Sequence, residues 1–143
     1  MLKKLLPKEL WKTKIKYKDW RTNMAGHCFY DAINDFIVFN RKRLISNSYL
    51  TTKKAIYKYE HLIKTKKDYL IFCLLHELGH RYFKDIEEMK QCQQVGKNIY
   101  NSSLSKIEAH FKYWELLSEK KAMLFAKHFF KLYKEKQNET QKI

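Results

Sequence analysis

His76, Glu77 and His80 stand in the order His-Glu-x-x-His within residues 72–82, Phe-Cys-Leu-Leu-His-Glu-Leu-Gly-His-Arg-Tyr. On a helix, a spacing of four puts both imidazoles on one face, one turn apart, where they can share a tetrahedral Zn2+. Glu77 follows the first histidine and lies about 100° further around the helix. A carboxylate there can reach a water on that metal without being a ligand itself. The metal lowers the pKa of such a water toward about 7, and the carboxylate takes its proton to make a nucleophile. The bland alternative is a surface helix with two unrelated histidines. Against it, an apolar run at 70–75 leads into the motif, and Gly79 sits inside it, where a second element can approach closely.

Two histidines hold zinc poorly, and catalytic sites usually add a third protein ligand while leaving a fourth position open. The candidates downstream are Glu108, His110, Glu115 and Glu119. Glu119 is favoured, because Ala122 and Ala126 follow it at intervals of three and seven. That stripe of small residues lets its helix come close to the histidine helix. His110 and Glu108 remain as alternatives. A second electrophile for a developing oxyanion would come from Tyr113, His110, His27, Tyr82 or Arg81, among which the sequence does not choose. Cys73, one turn before His76, reads as a buried small hydrophobe.

With these residues in view, the chain resembles the zincin metallopeptidases, and more narrowly the compact gluzincins of the ImmA/IrrE type. That group combines a strand hairpin, a His-Glu-x-x-His helix and a later helix carrying a glutamate ligand in the wording Glu-x-x-Ala-x-x-Phe-Ala. Residues 119–126, Glu-Lys-Lys-Ala-Met-Leu-Phe-Ala, match that wording position by position. The resemblance spans roughly residues 25–130. It implies His76, His80 and Glu119 as zinc ligands, Glu77 as general base and a minimal zincin-like fold. It also implies an endopeptidase whose extended protein or peptide substrate adds to the hairpin edge, with DNA-bound repressors as a target class. Arg81 departs from the uncharged residue that the general pattern prefers after the second histidine.

The elements that must position these groups are partly legible. Aromatic and β-branched residues at 28–30 and 36–39, on either side of Asn34-Asp35, predict a hairpin. Residues 2–20, after Pro7, read as a weak helix, and Ile56, Tyr59, Leu62 and Ile63 predict another helix beginning near Thr51 or Thr52. A strong helix is expected over 68–88, capped by Asp68, with Ile71, Leu75, Leu78, Tyr82 and Ile86 as its buried stripe. A polar turn through Gly96 and Asn101 and a final helix over 105–133 complete one domain, 1–133. Residues 134–143 read as a polar, flexible tail. The fold class is α+β, a small antiparallel sheet or hairpin packed on three to four helices.

With 143 residues, 45% of them hydrophobic, the chain can bury a single core. Three glycines and one proline argue against a turn-dense all-β protein, and three unclustered cysteines against a disulfide framework. No apolar run is long enough to span a membrane, and a cytoplasmic protein is expected. Thirty Lys and Arg against fifteen Asp and Glu leave a net charge of +15. Such a field attracts DNA or another polyanion. Arg41, Lys42 and Arg43, with Lys64, Lys66 and Lys67, are the candidate contact residues. A second function class follows: a basic nucleic-acid- or protein-binding module, of the kind a mobile element uses as toxin or inhibitor, on a zincin scaffold with a structural or vestigial metal. Glu77 separates the two, since a binding scaffold has no need of a general base.

Overall fold

A computed structural model describes residues 2–18, 28–40, 62–84, 86–102, 104–105, 108–109, 112 and 116–141. The predicted helix near Thr51 lies largely outside these residues, and the basic cluster Arg41–Arg43 lies wholly outside them. The fold is α+β. Three strands, β1 (Lys14–Lys18), β2 (Cys28–Asp31) and β3 (Phe36–Asn40), accompany four helices among the described residues: α1 (Leu2–Leu5), α2 (Lys66–Phe83), α3 (Ile86–Tyr100) and α4 (Leu117–Gln141).

The hairpin forms as the residue pattern predicts. β2 and β3 pair antiparallel, Tyr30 opposite Ile37, around a turn at 32–35. Asp31 Oδ1 accepts the N–H groups of Ile33 and Asn34, closing the turn locally, and Asp35 takes the left-handed conformation with φ 55°. The sheet extends beyond this hairpin, however. β1 lies where a helix was expected and pairs parallel to β3, giving the order β1-β3-β2 and a mixed sheet. Lys-Ile-Lys-Tyr-Lys alternates with the two-residue period of a strand. Ile15 sits beside Ile37 and Tyr17 beside Phe39, whose rings stack at 5.7 Å. Ile15 and Tyr17 stay exposed, so pairing with β3 and the stacking of Tyr17 on Phe39, not burial of β1, set the strand against the weak helical preference of the lysines.

Helix α2 begins at Lys66, not at Asp68. Thr65 is the N-cap, its hydroxyl accepting from Asp68 N, while the Asp68 carboxylate reaches back to Thr65 N. This reciprocal box satisfies two N–H groups that a helix start leaves unpaired. The helix ends at Phe83, short of the expected 88, because Lys84 turns left-handed at φ 51°. α3 then occupies most of the stretch expected to be a polar turn and runs through Gly96; the turn itself comes at Asn101. The stretch expected as one helix from near 105 is divided: residues 108, 109 and 112 are helical, the chain bends at Leu116, and α4 starts at Leu117 and continues to Gln141, so most of the predicted tail is helical.

α2 and α4 run antiparallel. Contacts pair His80 with Ser118, His76 with Glu119, Phe72 with Phe130 and Asp68 with Lys134. The buried face of α2 is centred on Tyr69, Phe72, Leu75 and Gly79, while Ile71 is only half-buried and Tyr82 is exposed. The predicted stripe is therefore rotated, because α4 covers one side of the helix and β2 another. Ala122 and Ala126, both fully buried, face this contact.

Gly79 sets how near the two helices lie. A Cβ there would meet Ala122 Cα at 3.0 Å, Phe125 Cβ at 3.1 Å and Ala122 O at 3.2 Å. Gly79→Ala gains up to about 1 kcal/mol in helix propensity, but overpacking costs about 1–3 kcal/mol. A net loss of about 1 kcal/mol is expected, read as a Tm lower by roughly 2–6 °C. A Tm at or above the wild-type value would show that α4 can yield at no cost.

The capping box also predicts a pH dependence. Burial opposes ionisation of Asp68, yet the N–H of Lys64, the Lys134 ammonium 3.3 Å away and the N–H of Thr65 hold its carboxyl below the usual range. The folded state therefore releases this proton more readily than the unfolded chain, whose aspartates titrate near about 3.9. The contribution is complete above that value and is lost as pH falls through the lower folded pKa. Urea midpoints should be insensitive to Asp68 between about pH 5 and 7 and decline below about pH 4. Asp68→Asn should lower stability near neutrality by about 1 kcal/mol and flatten that decline. An equally steep acid decline in the variant would place the linkage elsewhere.

Candidate metal centre

The predicted residues converge. His76 and His80 project from α2 with ring centroids 4.9 Å apart, and Glu119 enters from the first turn of α4. His76 Nε2 lies 2.6 Å from Glu119 Oε2, and His80 Nε2 lies 3.2 Å from Glu119 Oε1. The side chains of His76, His80 and Glu119 are 12%, 8% and 8% exposed. One donor atom from each falls within 4.8 Å of the other two.

This donor set fits zinc. Two imidazole nitrogens and a carboxylate oxygen are ligands of its kind, and three of them leave one position open. With bonds near 2.05 Å, the edge of a tetrahedron is roughly 3.3 Å, close to the His80–Glu119 separation. The shorter His76–Glu119 contact is a hydrogen-bond distance. Burial opposes charge on Glu119, but His76 and then His80 outweigh it and hold the carboxyl well below the usual range. The carboxylate thus faces both imidazoles, as a ligand to a shared metal must.

A partner that sequence reasoning missed supports the second histidine. Ser118 Oγ, buried, lies 3.2 Å from His80 Nδ1. When Nε2 offers its lone pair to a metal, Nδ1 carries the proton and donates it to this hydroxyl, fixing tautomer and ring orientation. A serine adjoining a glutamate carries no local pattern that would single it out.

Glu77 lies a step around the helix from the histidines, against the sheet. Its Oε2 accepts the backbone N–H of Tyr30 at 2.8 Å, so the edge strand β2 holds the carboxylate beside the histidine pair. Burial is the main influence on Glu77 and pushes its carboxyl up, with His80 and His76 pulling the other way. Burial also pushes the thiol of Cys73 up to about 12; it packs half-buried against the core as an inert filler.

The remaining candidates separate from the centre. Glu108 is exposed, its N–H bonded to Ser105 Oγ. Arg81 is engaged with Asp35, Glu9 and Thr13 in a structural network. Tyr82 lies against Phe125 at the exposed end of α2. His110, Glu115, Tyr113 and His27 lie outside the described residues, as do Arg41, Lys42 and Arg43. Lys64 and Lys67 are exposed, next to the start of α2 and remote in sequence from the histidines. Among the described residues, no helix is long and apolar enough to cross a membrane. Comparison of the chain with protein-family models, curated proteins and solved structures finds no match.

Proposed function

We propose that this chain is a zinc-dependent endopeptidase of the compact gluzincin kind. The observation that carries the reading is the meeting of two imidazoles and a carboxylate from two helices, with a separately held glutamate at their side. His76, His80 and Glu119 would hold the zinc. When bound, the metal supplies Lewis acidity, lowering the pKa of a water toward about 7 and polarising a carbonyl.

The chain's own residues supply the rest. Glu77 keeps Oε2 on Tyr30 N–H, and its Oε1 takes the proton of the attacking water and returns it to the leaving nitrogen. A carboxyl whose proton affinity is raised by burial suits a group that must accept a proton and then give it away. β2 is an edge of the sheet. An extended substrate would align along that edge by main-chain hydrogen bonds. The substrate would be a protein, with DNA-associated repressors as the class that the family likeness suggests. A charge of +15 would draw the enzyme toward targets already seated on a polyanion.

The test is metal removal against an unstructured protein substrate. Hydrolysis is expected to stop when zinc is stripped by a chelator and to return when about one equivalent is restored. Zinc binding without hydrolysis of any substrate would put the binding-module reading in its place.

A further inference from the structure

We propose that Asp35 and Arg81 form a positioning clamp, which holds the edge strand on the catalytic helix so that Tyr30 N–H stays on Glu77. The inference rests on the metallopeptidase reading above, and it assigns a purpose to the arginine that follows the second histidine.

Glu77 and Arg81 are one turn apart on α2, so both face the hairpin, about 6 Å from each other along the axis. Tyr30 is attached at both points. Its N–H donates to Glu77 Oε2 at 2.8 Å, and its hydroxyl donates to Asp35 Oδ1 at 2.7 Å. Asp35 in turn accepts from Arg81 Nε at 2.9 Å and Arg81 Nη2 at 3.1 Å, a two-pronged contact that fixes direction as well as distance. Glu77, Tyr30, Asp35 and Arg81 thus form a closed ring whose fourth side is the helix itself.

The guanidinium does more than pair with one carboxylate. Its Nη1 also donates to Glu9 O at 2.9 Å and to Thr13 Oγ1 at 3.1 Å, anchoring it in the segment ahead of β1. The Arg81 side chain is accordingly 12% exposed although Asp35 is 48% exposed. A free surface ion pair would leave both ends loose; here one end is embedded and the other sits in the turn that ends β2. The sheet core, with Ile37 and Phe39 buried, does not depend on this contact. Losing it therefore frees the hairpin tip and Tyr30 without unfolding the sheet. A lysine could not replace the arginine, since one ammonium cannot reproduce the fork.

The test uses the full chain with zinc bound. Asp35→Asn tolerates the left-handed turn and keeps an acceptor for Tyr30, but removes the charge; Arg81→Leu removes the whole fork. Hydrogen exchange at the Tyr30 amide, zinc affinity by chelator competition, and kcat and KM on a peptide are measured together. Asp35→Asn should speed Tyr30 exchange at least about tenfold and lower kcat by roughly tenfold, with Arg81→Leu nearer a hundredfold, the size of loss that a misplacement of about 1 Å produces. KM and zinc affinity should stay within about twofold, which separates alignment of Glu77 from damage to the metal centre. Unchanged Tyr30 exchange in a folded Asp35→Asn variant would overturn the clamp. Faster exchange with wild-type kcat would overturn its part in catalysis. Absence of hydrolysis by the wild-type chain would instead overturn the peptidase reading, while the exchange result still judged the clamp on its own.

Discussion

Glu119→Ala is expected to lower zinc affinity at least about a hundredfold, because partners outside the ligand shell already account for losses of 10- to 100-fold. The carboxylate gives one oxygen to each imidazole, at 2.6 and 3.2 Å. It is buried, and those same groups lower its proton affinity, so it already faces the place that a metal shared with both imidazoles would take. Its removal leaves two imidazoles, which suffice poorly for zinc. Glu108→Ala, on an exposed side chain, should leave affinity within about twofold and serves as the control. His76→Ala paired with His80→Ala should abolish binding altogether. Chelator competition and metal content, expected near one zinc per chain, provide the measurement. Full retention of zinc by the double histidine variant, or unchanged affinity in Glu119→Ala, would remove the centre from these residues.

What the sequence disclosed here depends on the range of the interaction concerned. His76, Glu77 and His80 are readable because a helix converts their spacing into geometry within one turn. Glu119 is readable one step further out, through Ala122 and Ala126, since small residues at helical spacing announce a close helix partner. The other half of that approach, the clash-limited contact of Gly79 with Ala122, was only hinted at by a glycine inside a helix. β1 is not legible as a strand because Lys14–Lys18 offers just two apolar residues, and its parallel partner lies 22 positions further along. Parallel pairing leaves no local turn signal. Thr65-x-x-Asp68 is a capping box in plain view, but Asp68 is itself a good cap residue, so the sequence leaves the helix start ambiguous by one turn. The Tyr30–Glu77 bond is invisible in principle, since a backbone N–H carries no residue identity.

Glu77→Gln should retain fold and zinc yet reduce kcat by about 10²–10⁴-fold, the span that a positioned general base contributes. Gln is nearly isosteric, and its amide oxygen can still accept the Tyr30 N–H, so the edge strand keeps its anchor. What disappears is an acceptor that can carry a full proton from the attacking water to the leaving nitrogen. KM should change little, because the role proposed for Glu77 is on the reacting water and not in substrate affinity. Zinc affinity should likewise hold, since His76, His80 and Glu119 are untouched. Glu77→Asp makes a sharper comparison. It keeps the base but withdraws it by one methylene, about 1.5 Å, from the reach that Tyr30 sets, a displacement large enough to cost on the order of 10²-fold. A substrate cut at the wild-type rate by the Gln variant would exclude Glu77 as the base. Loss of zinc from that variant would show instead that Glu77 is a ligand, and that its hold on β2 is secondary.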